Sequence, residues 1–69
     1  MRYGPAEIAS LREYERRYGV SRVVLAREVA EGRLAATRIG VAIVARDSDV
    51  RVVVARLLSR ALAADEGRR

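Results

Sequence analysis

Three glycines set the lengths of the structural elements that this 69-residue chain can form. Gly19, Gly32 and Gly40 interrupt the middle of the sequence at short intervals, and glycine readily takes the positive φ that ends helices and closes tight turns. Each interval therefore has room for one short helix or one strand. A chain of this length makes a single domain, which on folding buries only about 60% of the surface that the unfolded chain exposes. We expect that domain to span residues 1–64.

The residues before Gly19 predict a first helix. Pro5 suits the first turn of a helix, where its missing N–H is not needed. Apolar side chains then follow at three- and four-residue steps and indicate one helical face: Ile8, Leu11, Tyr14 and Tyr18. This spacing explains both tyrosines as core residues, and Gly19 ends the helix.

A second helix is predicted directly after that turn. Ser21 is a good N-cap, Leu25 and Val29 lie four residues apart on one face, and Gly32 ends the segment. Two helices that meet across a turn of about three residues are typical of a helix-turn-helix.

After Gly32 the helical spacing of apolar residues ends, and the sequence becomes rich in β-branched residues. Residues 34–39 and 41–45 flank Gly40, and two short runs around a glycine predict a β-hairpin. Asp47 or Ser48 can cap a third helix from about residue 49 to residue 64, followed by a polar C-terminal tail at 65–69. The predicted fold is mainly α with a small β-hairpin, a winged helix-turn-helix: helix-turn-helix, two-stranded wing and C-terminal helix.

The third helix carries more apolar surface than one small core needs. Val50, Val54 and Leu57 make one stripe, and three further residues widen it around the helix: Val53, Leu58 and Leu62. A helix that is apolar on most sides is buried on most sides, and a small domain often gains stability by pairing with a second copy. We therefore predict a homodimer, or side-by-side association on DNA, with Val53, Leu58 and Leu62 in the interface.

Composition favours a nucleic acid as the partner and argues against catalysis. The net charge is +5, and every basic residue is an arginine, which suits an anionic partner. Histidine, cysteine and lysine are absent, so the common nucleophile–base pairs and metal ligands are missing. We expect no enzyme activity, no cofactor and no small-molecule ligand. The N-terminal residues lack the pattern of a signal peptide and the apolar runs are too short to span a bilayer, so we expect a cytoplasmic, nucleoid-associated protein without a membrane partner.

Four short blocks of the sequence resemble the phage-excisionase type of winged helix, a group related to the mercury-resistance regulators. They follow in the order of that family without a gap, across residues 13–58, and read Gly19-Val20-Ser21-Arg22, Glu31-Gly32-Arg33-Leu34-Ala35-Ala36, Arg38-Ile39-Gly40 and Ser48-Asp49-Val50. The resemblance implies that the second helix lies in the major groove of DNA, while the hairpin reaches an adjacent phosphate or the minor groove. It also implies a small transcription regulator or a recombination directionality factor.

The candidate DNA-binding residues follow from that placement. Arg22 and Arg27 on the second helix can each bond guanine O6 and N7, and Val23 and Val24 stand between them, where small polar residues are usual in the family. Phosphate contacts, which fix register without reading sequence, are expected from Ser21, Arg33, Arg38 and Arg46. On the first helix, Arg12, Arg16 and Arg17 could also contact the DNA backbone, but Glu13 offsets Arg17 at a spacing of four residues, and we expect all three to be solvated surface residues.

A second interpretation uses the same fold as a protein-interaction module, such as an antitoxin-like protein or an assembly adaptor. Val41 and Ala42 follow the hairpin glycine, where family members usually carry basic residues. Val23, Val24 and the third helix would then form an apolar contact face. The two interpretations differ in salt dependence, because binding through phosphates weakens steeply with salt.

Overall fold

Two short helices, a three-stranded antiparallel sheet and a long C-terminal helix make up the part of the chain that the computed structural model describes, residues 7–67. The elements follow the order β1 (Ile8–Ser10), α1 (Leu11–Tyr18), α2 (Arg22–Ala30), β2 (Thr37–Ile39), β3 (Ala42–Arg46) and α3 (Asp47–Gly67). The sheet order is β1-β3-β2. The two helices, the hairpin and the last helix occur in the predicted order, and β1 is an addition.

Strand β1 corrects the prediction for the first helix. Ile8 lies in a strand that pairs with β3, opposite Arg46, and α1 begins only at Leu11. The Ser10 side chain caps α1 by accepting a hydrogen bond from the Glu13 N–H at 3.2 Å. Ile8 continues the apolar spacing of α1, so periodicity alone could not separate strand from helix, whereas β3 supplies backbone partners from a distant part of the sequence. Pro5 lies outside the described residues.

The turn between α1 and α2 follows the prediction. Gly19 adopts φ 70° and its N–H donates to the Glu15 carbonyl at 2.9 Å. The Ser21 hydroxyl oxygen accepts from the Val23 N–H at 3.1 Å, so Ser21 is the N-cap of α2. These two local contacts orient α2 relative to α1.

The hairpin is present. Strand β2 is shorter than predicted, and β3 has the predicted length but begins one residue later, at Ala42. Thr37 and not residue 34 begins β2, and Leu34 packs in the core. The loop holds two residues, Gly40 at φ 64° and Val41, and no described residue other than glycine has a positive φ. Glycine at the first central position followed by a residue of negative φ is the type II′ turn, which matches the twist of antiparallel strands.

The core lies between the sheet, α1, α2 and the first half of α3. Its buried members are Leu11, Tyr14, Leu25, Leu34, Ala45, Val50, Val53 and Val54. The Tyr14 hydroxyl donates to the Ala45 carbonyl at 2.8 Å, which ties α1 to β3. Val53 is only 1% exposed, so its assignment to a dimer interface is wrong: this chain's own core already covers it.

Helix α3 is longer than predicted at both ends. It begins at Asp47 and continues to Gly67, through residues expected to form a polar tail. Asp47 and Ser48 therefore lie inside the helix and do not cap it from outside. The Asp47 carboxylate accepts hydrogen bonds from the Tyr18 hydroxyl and from Arg17, which fixes the start of α3 against α1.

The second half of α3 extends beyond the core. Every residue of 58–65 is exposed, including Leu58 at 57% and Leu62 at 63%. Among the helices described, none is both long and apolar enough to cross a membrane.

Candidate nucleic-acid interface

Helix α2 presents one face to the core and the opposite face to solvent. Leu25 and Glu28 are buried on the inner face. Val23 and Arg27 lie one turn apart on the outer face, and the Val23 side chain is 69% exposed. The outer face therefore combines one branched apolar side chain with one cation.

A groove of about 570 Å³ separates α2 from the tip of the hairpin. Its lining, which we call the α2–hairpin groove, consists of Ser10, Leu11, Arg12, Arg22, Val23, Ala26, Val41, Ala42 and Ile43. The walls are mostly apolar, and Arg12 and Arg22 are the charged residues of the lining. An apolar groove bounded by cations suits a ligand that is anionic on its outside and apolar or aromatic inside.

The arginines predicted to bind DNA differ in whether they already form ion pairs with carboxylates of this chain. Arg27 and Arg38 form no ion pair with any residue of 7–65. Arg22 lies 3.5 Å from Glu15, and Arg46 lies 3.1 Å from Asp49. Arg22 and Arg46 are more than half exposed, so a phosphate can compete with these carboxylates at little cost.

Arg33 is held more firmly than the other candidates. Its guanidinium bonds to both Glu28 and Glu31, and the Glu28 side chain is only 4% exposed. These hydrogen bonds raise the pKa of Arg33, and the hydrogen bond from Arg33 is the main reason that the pKa of Glu28 is lowered. Arg33 therefore has a structural role in the α2–β2 loop, while its contact with phosphate stays a prediction.

The sheet register places Arg38 and Arg46, the two candidates on the strands, on opposite faces of the sheet. Arg38 lies directly opposite Ile43, so both side chains emerge on the face of the sheet that carries the groove. Arg46 lies an odd number of residues from Ile43 along β3 and emerges on the other face. Arg22, Val23, Arg27 and Arg38 are thus on one side of the molecule and Arg46 is on another.

Two further predicted residues have clear positions on α2. Ser21 is exposed, and its hydroxyl oxygen is used as the cap while the hydroxyl hydrogen is free to donate. Val24 is half-buried, which leaves Val23 as the accessible valine of the pair.

Arg12 was expected to be a solvated residue rather than part of the DNA-binding surface. A longer first helix would carry Arg12 on its solvated side, but α1 starts at Leu11 beside β1, and Arg12 therefore lines the groove. Ser10 followed three residues later by Glu13 is a helix-start pattern, and it could have indicated that α1 begins at Leu11.

The described part of the chain has only a small net positive charge. Eleven of the 14 arginines and all nine acidic residues lie in 7–67, so this part of the chain carries +2. The other three arginines are Arg2, Arg68 and Arg69, which lie outside the described residues. Attraction for an anion therefore depends on which arginines lack a carboxylate neighbour, and Arg27 and Arg38 are two of these.

Comparison of the chain with protein-family models, with curated proteins and with solved structures gives no match. Within residues 7–67, no group of three or more acidic side chains is arranged to hold a metal ion.

Proposed function

We propose that this protein binds double-stranded DNA sequence-specifically as a winged helix-turn-helix, and that it acts as a small transcription regulator or a recombination directionality factor. The observation that carries the proposal is the outer face of α2. It is exposed, and it presents Arg27 without a carboxylate partner in the described chain. The role is architectural, so it needs neither a cofactor nor a catalytic group.

The dimensions of α2 support entry into the major groove. With its side chains an α-helix such as α2 is about 10–12 Å in diameter, and the major groove is about 12 Å wide. The first turns of a recognition helix are the ones that contact base edges, and here they carry Arg22, Val23 and Arg27. Arg27 donates to a guanine, and Arg22 contacts a base or a phosphate after leaving Glu15.

The hairpin supports a second contact on the same side of the molecule. Arg38 emerges on the face of the sheet that carries the groove, as Ile43 does. With α2 in the major groove, the sugar–phosphate strand next to it runs toward the hairpin. Arg12 and Arg38 neutralise phosphates there, which positions the protein without reading sequence.

Self-association belongs to the same proposal. Leu58 and Leu62 lie on successive turns of the exposed half of α3, and each is more than half exposed. A second copy of the chain packs on these two residues, whereas Val53 stays in the core of its own protomer.

Selection from a random duplex library followed by a salt titration tests the proposal. Fluorescence anisotropy of a selected duplex should show log K falling linearly with log salt, with a slope of about −0.9 per neutralised phosphate. Failure to select any duplex, or binding that does not respond to salt, would overturn DNA binding.

One observation favours a protein-interaction module as the second candidate. Val41 is fully exposed at the hairpin tip, where a cation would bind phosphate more strongly than a valine does. Val23 lines the same groove. An apolar protein contact at this surface would be nearly insensitive to salt and would not require Arg27. The same titration therefore separates the two candidates.

A further inference from the structure

The outer face of α2 offers two kinds of chemistry to a base edge. Arg27 is a hydrogen-bond donor, whereas Val23, the second residue of α2, is apolar and 69% exposed. The small side chain of Ala26 lies beside Val23 in the groove lining. The charged residues that share this lining are Arg12 and Arg22, and Glu15 holds Arg22 at 3.5 Å.

The major groove presents a single apolar group, the C5-methyl of thymine. Every other atom that distinguishes the base pairs there is a hydrogen-bond donor or acceptor. An exposed valine next to a polar base edge leaves that edge without a partner, whereas a valine against a methyl group removes apolar surface of both from water.

We infer that Val23 is a specificity-determining residue that reads a thymine methyl group in the major groove, next to the guanine read by Arg27. This inference rests on the proposed DNA binding. Side chains four residues apart on a helix have Cβ atoms about 5–6 Å apart, and successive bases of a strand are about 3.4 Å apart. The thymine therefore lies within two base pairs of the guanine.

The size of the effect follows from the burial of one carbon atom. Burial of one such group contributes about 0.8 kcal/mol, which corresponds to about a four-fold change in Kd. The contribution is smaller than that of a bidentate arginine contact, so loss of Val23 should alter specificity more than it abolishes binding.

The test uses the full chain and duplexes that it selects from a random library. Each thymine of the selected site is replaced in turn by deoxyuridine, which removes only the methyl group, and Kd is measured at fixed salt. One thymine near the essential guanine should show about a four-fold loss of affinity. Val23→Ala should show a similar loss on the thymine duplex and equal Kd values for thymine and deoxyuridine at that position.

A matched variant serves as the control. Val52→Ala makes the same change at an exposed valine of α3 and should keep the full response to deoxyuridine. Circular dichroism should show that every variant is folded.

The outcomes distinguish this inference from the proposal on which it rests. If no duplex is selected, DNA binding fails and the methyl contact fails with it. If a duplex is bound with normal salt dependence but no thymine responds to removal of its methyl, the role of Val23 alone is overturned. Equal weakening of thymine and deoxyuridine duplexes by Val23→Ala, with the difference between them retained, also overturns it.

Discussion

Glu28 binds Arg33 through both its side chain and its main chain. The guanidinium donates from Nε to Oε1 at 2.8 Å and from Nη2 to Oε2 at 3.0 Å, and the Arg33 N–H donates to the Glu28 carbonyl at 2.9 Å. The Leu34 N–H bonds to the same carbonyl at 3.1 Å. A single residue at the end of α2 thus fixes the path of the chain toward the hairpin.

Replacing the buried carboxylate should destabilise the protein. Glu28→Gln cannot accept both charge-assisted hydrogen bonds, and we expect a loss of about 1–3 kcal/mol in the free energy of unfolding. Glu31→Gln is the matched control, because Glu31 bonds to the same guanidinium from an exposed position. It should change stability by no more than about 0.5 kcal/mol. Urea titration measures both, and equal effects would contradict the structural role of Glu28.

Acid should destabilise the protein through two carboxylates. Arg33 lowers the pKa of Glu28, and the Tyr18 hydroxyl, with Arg51 and Arg17, lowers the pKa of Asp47. A carboxyl whose pKa is lower in the folded state stabilises that state above its unfolded pKa, about 4 for these groups. That contribution is lost as pH falls from about 4 through the lower folded values. Thermal unfolding between neutral pH and pH 2 should show this loss, and a shallower loss in Glu28→Gln.

Loss of Arg27 should weaken DNA binding without unfolding the chain. Arg27 is an exposed residue without an ion pair in the described structure, so Arg27→Ala should change stability by less than about 0.5 kcal/mol. It should cost about 1–3 kcal/mol of affinity for the selected site and relax specificity at one G·C pair. Arg60→Ala, an equal change of charge on the exposed half of α3, is the control. If the two variants bind alike, α2 does not read bases.

Removing Glu15 should strengthen binding to DNA. The Glu15 carboxylate contacts both the Arg22 guanidinium at 3.5 Å and the Arg22 N–H at 3.1 Å. Glu15→Gln releases the guanidinium for DNA, so affinity should rise and the salt slope should steepen by about one. Glu13→Gln frees Arg16 on the same helix and leaves Arg17 paired with Glu7 and Asp47, so it should have the smaller effect. An unchanged slope in Glu15→Gln would place Arg22 outside the interface.

Self-association should depend on Leu58 and be independent of Val53. Leu58→Glu introduces a charge at an exposed position, so each protomer stays folded while the dimer dissociates. Val53→Ala instead removes two methyl groups from the core and should lower stability by about 1–3 kcal/mol. Sedimentation at high concentration, with and without DNA, measures assembly. A wild-type protein that stays monomeric in both conditions would contradict the prediction.

The parts of the fold that depend on local chemistry could be predicted from the sequence. Gly19 and Ser21 determine the turn and the cap of α2 through contacts within four residues. Strand β1 could not be predicted in this way, because its partners in β3 are more than 30 residues away and Ile8 also satisfies helical spacing. Similarly, periodicity places Val53 and Leu58 on one widened apolar face, but only the packed structure shows which of them is covered.

The candidate interface was predicted less completely than the fold. The exposed positions of Arg22, Val23 and Arg27 follow from helical geometry. Arg33 appeared to be a free surface cation, since its partner Glu28 lies five residues earlier, beyond the three- or four-residue spacing of helical ion pairs. Arg12 was missed because its neighbours in the groove come from β3 and α2.

Val44 pairs with Ser10 on one side and with Thr37 on the other. Strand β1 pairs with β3 from Val44 onward, and β2 pairs with it from Ala42 to Val44, so β3 has strand partners on both sides at Val44 and on one side toward the tip. Local opening follows the number of hydrogen bonds that hold a segment. Gly40 and Val41 therefore lie at the end of the hairpin that a single strand pair holds, and we expect backbone hydrogen bonds to open there before they open at Val44.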